Sequence, residues 1–211
     1  MKYVLKTLLC TVLVMVMAVG LTACGNKVGD IEMKEGESAI YIDEDGTVSY
    51  GVSEKFAEDY YNEDDLQKKI DAEIEDYNNG KKASVNRAIT LEKFKVSDKV
   101  ATLILDFATV YDFNEYVRAY NNEDKTKFYT GTIADNDDCK IKGSFVSPDK
   151  SKTATAKEIK AMTKSNIIIV NDKYKVQLDS DIKYVSENCT VNEEGIVTTA
   201  GAEQGLSYII Y

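Results

Sequence analysis

Thirty-six carboxylates, fourteen tyrosines, four cysteines and no histidine set the chemistry open to this 211-residue chain. Without imidazole there is no histidine zinc site and no nucleophile activated by histidine. Asp43/Asp45 and Asp135/Asp137/Asp138 offer hard oxygen ligands of the kind calcium takes. A calcium loop starting at Asp135 needs glycine at its sixth position and glutamate at its twelfth, where this chain has Lys140 and Val146. Both clusters therefore read as turn chemistry, and no metal site is assigned. Thr155/Lys157 and Ser97/Lys99 carry the residue types of a hydroxyl-lysine dyad, but a helix start and a hairpin turn explain them better. Paired carboxylates can cleave a glycan, yet no pair stands out from so many acids. No catalytic residue and no cofactor is assigned.

Cys139 and Cys189 are widely spaced and form no CxxC pair. They are compatible with a disulfide and equally with two buried thiols. Tyr60-Tyr61, Tyr111, Tyr116, Tyr120 and Tyr129 concentrate in the middle of the chain. On a surface they would stack on sugars or anchor a protein partner; in the core they would fill the place of the missing tryptophan.

Leu21-Thr22-Ala23-Cys24 resembles the lipobox of a bacterial lipoprotein, and the residues before it fit a leader. Lys2 and Lys6 precede an apolar run from Leu8 to Leu21 that contains no acid. That run, about 14 residues, is short of the roughly 20 a spanning helix needs. The resemblance implies a signal peptide over 1–23, with Cys24 the lipidated new N-terminus. Two or three acyl chains on it would make membrane attachment stable. Losing both leader lysines takes the net charge from −10 to −12. Such a surface disfavours nucleic acid.

The elements that must position these residues follow from pattern. Residues 24–38 read as a flexible tether with only Val28, Ile31 and Met33 apolar. Ala39–Ile42 and Thr47–Val52 flank an Asp-Gly turn and predict a hairpin. Asn62 caps a helix whose Leu66, Ile70, Ile74 and Tyr77 form one stripe, stopped at Asn78-Asn79-Gly80. Alternation from Ser84 to Val96 and the apolar 100–107 run predict a second hairpin, followed by a short helix with Asp112 as its cap. Strands are expected at 127–133 and 139–146, a short helix at 155–162, and six short strands from Asn166 to Tyr211. The fold class is α+β: antiparallel hairpins packed with one long and one or two short helices. An α+β domain over 39–147 and a β-rich C-terminal subdomain over 148–211 are expected.

Ala39-Ile40-Tyr41-Ile42 with its Asp-Gly turn, Phe56-Ala57-Glu58-Asp59-Tyr60-Tyr61-Asn62 leading into the acidic helix, and Asp112-Phe113-Asn114-Glu115-Tyr116 before Phe128-Tyr129-Thr130-Gly131-Thr132 together resemble the small tethered lipoproteins of anaerobic Gram-positive gut bacteria. The resemblance implies attachment to the outer face of the cell membrane and no particular activity. The expected role is a non-catalytic binding or envelope-interaction module with a protein or glycan partner. The alternative is a carboxylate-based cell-wall glycan hydrolase.

Overall fold

The computed structural model describes residues 26–120, 127–136 and 140–211. The first sheet grows from the predicted hairpins. β3 (Glu37–Ile42) pairs with β4 (Val48–Lys55), β4 with β6 (Val100–Phe107), and β6 with β5 (Ile89–Ser97), all antiparallel. In the first turn Gly46 adopts φ +82°, the conformation glycine supplies without steric cost. The outer strand starts at Ile89 rather than Ser84. Its apolar residues change parity between Leu91 and Phe94, and a register shift between Leu91 and Lys93 absorbs the extra residue. Leu91, Phe94 and Val96 can therefore pack with Leu66 and Ile70 of α1 (Glu63–Asn79). Asn62 caps α1 as expected, its side chain accepting the Asp65 N–H at 3.1 Å. Glu63, Asp64 and Asp65 sit at the positive end of the helix dipole.

The stretch expected to be a flexible tether is folded from Lys27 onward. β1 (Lys27–Val28) and β2 (Ile31–Glu32) form a small hairpin whose Val28 and Ile31, with the following Met33, are only 1%, 2% and 4% exposed. Three apolar residues suffice because Gly51 of β4 leaves the space they occupy. A Cβ there would fall 2.4 Å from Val28 Cγ2 and 2.6 Å from Met33.

The remaining elements are α2 (Val110–Tyr120), β7 (Phe128–Thr132), β8 (Ser144–Val146), β9 (Thr153–Thr155), α3 (Ala156–Ala161), β10 (Asn166–Val170), β11 (Lys175–Leu178), β12 (Tyr184–Ser186), β13 (Thr190–Val191), β14 (Val197–Thr198) and β15 (Ser207–Ile210). The expected 139–146 strand is shortened to β8. The seven-stranded sheet runs β13-β14-β11-β3-β4-β6-β5, and the six-stranded sheet β7-β10-β15-β12-β8-β9. Strands that follow Pro148 thus enter both sheets, and the expected boundary at 147/148 does not divide the fold. The parallel pairing of β11 with β3 joins the two ends of the chain, Lys175 opposite Ala39. The fold is α+β and rich in antiparallel strands.

The principal core lies between the sheets. Ile40, Tyr50 and Leu105 come from one sheet, Ile168, Val170 and Ile209 from the other, and Phe113, Tyr116 and Val117 from α2. Phe113 makes the join: its ring centroid is 5.1 Å from Phe107 and 5.2 Å from Phe128. Such aromatic pairs contribute about 0.5–1.5 kcal/mol beyond the area they bury.

Candidate functional site

The start of α2 is fixed by a buried, hydrogen-bonded carboxylate. Asp112 is fully buried, and it is not the helix cap expected from sequence. Thr109 takes that place: its Oγ1 accepts the Asp112 N–H at 3.1 Å and donates back to Asp112 Oδ2 at 2.5 Å. The Asp112 carboxylate also accepts the Ser84 N–H and hydroxyl and the Tyr77 hydroxyl. It so ties the end of α1, the following loop and the start of α2 together. Burial, then the Asp112 charge, push the Tyr77 hydroxyl above its ordinary pKa.

Held there, α2 packs against the outer edge of β7, and residues of both line a cavity of about 460 Å³. Tyr111, Asn114 and Arg118 line it from α2, Tyr129 to Thr132 from β7, and Asp135, Asn136 and Asn166 close its end. The helical residues are spaced by three and four and so share a face. Asn114 Nδ2 donates to the Thr130 carbonyl at 2.6 Å while its Oδ1 accepts the Thr130 N–H at 3.0 Å. Tyr129 lies back along its own strand and donates to the Thr132 carbonyl at 2.8 Å. Gly131 permits this, since a Cβ there would stand 2.6 Å from the Tyr129 hydroxyl. Thr132 Oγ1 donates to Asp135 at 2.6 Å and orients that carboxylate.

Arg118 bonds Glu115 at 2.7 Å, and Glu115 also meets Lys82 at 2.7 Å. Burial works to raise the Glu115 pKa, but hydrogen bonds from Lys82 and Arg118 outweigh it and hold the carboxyl below its usual range. Arg118 Nε is buried with no hydrogen-bond partner among the described residues. With Tyr111 half exposed, the groove offers aromatic surface, amides, a guanidinium and one described carboxylate. Such groups offer ring surface and hydrogen bonds to a polar organic molecule.

The tyrosines singled out from sequence are dispersed. Tyr111 and Tyr129 line the groove, Tyr116 is buried in the core, and Tyr120 donates to Asp76 at 2.7 Å. Tyr60 and Tyr61 form a separate cluster with Phe56. Sequence reasoning missed Asn114, Arg118 and Asn166; the 111, 114, 118 spacing was the signal for the first two.

Asp43 serves its turn, accepting the Thr47 N–H at 2.9 Å and bonding the Thr47 hydroxyl. Among the described residues no group of three or more cysteines and carboxylates is placed to hold a metal ion. Asp137, Asp138, Cys139, Cys24 and the leader lie outside the described residues. Cys189 is buried, its sulfur 3.4 Å from Ser186 Oγ. Thr155 makes a capping box with Glu158, and Ser97 donates to Asp98, so neither hydroxyl faces a lysine partner in these contacts. Glu73 is a carboxyl with a raised pKa: burial lifts it, against Lys69 and the Tyr116 hydroxyl, and it does not line the groove. No described helix is long and apolar enough to cross a membrane.

Comparison with known protein families, with curated proteins and with solved structures finds no match for this chain.

Proposed function

We propose that the chain is a lipoprotein held on the outer face of the cell membrane through Cys24, and that it binds an envelope glycan or peptide in the α2/β7 groove without transforming it. The observation that carries the binding reading is the groove itself. Tyr111 and Tyr129 supply ring surface beside Asn114, Arg118 and Asn166, while Asp135 is its one described carboxylate. A glycosidase needs two carboxyl groups across the scissile bond. The leader and the lipobox-like Leu21 to Cys24 support the anchoring.

Calorimetric titration of the lipidated chain with soluble wall fragments tests the binding. Tyr111→Ala and Arg118→Ala are each expected to weaken it about tenfold, the scale of one good contact. Release of reducing ends by the unmodified protein would overturn the reading in favour of the hydrolase. For the anchor, Cys24→Ser is expected to abolish acylation and leave the product out of the carbonate-washed membrane fraction.

A further inference from the structure

We infer that the folded domain lies directly on the lipid surface, docked by the end of its seven-stranded sheet that carries Asn26, Lys34, Lys99 and Tyr60, with the α2/β7 groove turned away from the bilayer. The inference rests on the proposed lipidation of Cys24 and specifies where that anchor holds the domain.

The length of chain between lipid and fold is the first argument. The Asn26 carbonyl already accepts the Met33 N–H at 2.8 Å, so Asn26 belongs to the fold. One residue, Gly25, separates it from Cys24, a main-chain reach of at most about 7 Å. A linker that short confines the domain to the headgroup region and leaves little choice of face.

Strand pairing identifies the face. Glu37 opposes Ser53, Lys55 opposes Val100, and Ser97 opposes Val100, so these residues share one end of the sheet. Asn26 lines a small cleft at that end with Glu35, Ser53, Ser97 and Asp98. The opposite end carries the acidic turn Asp43-Glu44-Asp45, between Ile42 and Val48. There too β6 finishes at Phe107, eight residues and roughly 25 Å from Val100, and leads into Val110 and Tyr111 of the groove.

The anchored end has the side chains for an interface. Phe56 is fixed there by its N–H bond to the Lys99 carbonyl at 2.7 Å. Its ring stacks on Tyr61 at 4.8 Å, Tyr61 meets Tyr60 edge-on at 4.9 Å, and Tyr60 is 64% exposed. Tyrosine favours the boundary between headgroup and water because its ring is apolar and its hydroxyl wet. Lys34, Lys55, Lys95 and Lys99 are exposed at this end of the sheet, with Glu35 and Asp98 exposed among them. Glu58, Asp59 and the first turn of α1 flank the rings, so the surface suits zwitterionic rather than anionic headgroups.

The test uses the full lipidated protein in phosphatidylcholine vesicles and a membrane-impermeant amine-acylating reagent, read by mass spectrometry at each lysine. Lys34, Lys95 and Lys99 are expected to react several-fold more slowly, relative to Lys81 at the far end, than in a variant with about twenty Gly/Ser residues inserted between Gly25 and Asn26. Equal relative rates in both proteins, with acyl mass present on Cys24, would overturn the docking and leave the anchor standing. Absence of acyl mass on Cys24 would remove the anchoring reading, and the docking with it.

Discussion

The side-chain amide of Asn114 holds the backbone of Thr130 as a neighbouring strand would, donating to its carbonyl at 2.6 Å and accepting its N–H at 3.0 Å. Asn78 of α1 does the same for Ile89, at 2.8 and 2.9 Å. β7 and β5 are outer strands of the two sheets, so each helix closes part of an open edge with one asparagine. Asn114→Ala leaves a buried N–H and a buried carbonyl unpaired and is expected to cost about 2–3 kcal/mol. Urea unfolding measures it. Asn114→Leu is expected to cost at least as much, and a loss below about 0.5 kcal/mol in both variants would show that water replaces the amide there.

Asp112 makes a second prediction that separates structure from chemistry. Its carboxylate accepts bonds from Thr109, Ser84 and Tyr77 and lies in the first turn of α2. Asp112→Ala is expected to lower stability by about 3 kcal/mol, because several donors lose a charged acceptor at once. Asp112→Asn keeps the shape but turns an amide donor toward hydroxyl donors, so it is expected to fall between the two. Groove binding by Asp112→Asn, measured well below its melting temperature, is expected to stay within a few-fold of the parent, since Asp112 does not line the groove.

The packing of β1 and β2 on Gly51 supplies a third. A methyl group at this position would stand 2.4 Å from Val28 Cγ2, so Gly51→Ala is expected to displace the small hairpin. Overpacking of this kind costs about 1–3 kcal/mol. Limited proteolysis should then cut at Lys27 or Lys34 before any cut in the sheets. Cleavage in the order seen for the parent would mean that the hairpin has other supports.

What was legible in the chain was local. The Asn62 cap with its acidic first turn, the Leu66-Ile70-Ile74-Tyr77 stripe, the helix start at Thr155 and the Asp-Gly turn each act within a few residues, and each appears where its pattern put it. The parallel pairing of Lys175 with Ala39 has no local sign, because it depends on where the intervening chain returns. That pairing, with those of β7 to β10 and β8 to β12, ties together residues on both sides of 147/148. Val28, Ile31 and Met33 were too few to suggest a packed segment, and only the absent Cβ of Gly51 makes room for them. Asp112 has the residue type of a cap, but Thr109, three residues earlier, holds that place and binds it reciprocally. In the groove, the tyrosines were visible by type. The asparagines were not, since amide residues are common here and become informative only once β7 lies opposite them.

Glu73 gives the fold a pH dependence of defined sign. Burial raises its pKa above the ordinary 4.5, more than Lys69 and the Tyr116 hydroxyl pull it back. A group with a raised folded pKa contributes its stability below the unfolded value and loses it as pH rises through the folded one. At pH 7 the charged form of Glu73 is therefore a cost the fold carries. Glu73→Gln removes that charge and retains an oxygen to accept from Tyr116, so it is expected to unfold at higher urea than the parent at pH 7. As pH falls below 4.5 the parent carboxyl is protonated and the two curves should converge. An advantage of equal size at about pH 3.5 and pH 7 would place the effect in packing or helix propensity instead of in the buried charge.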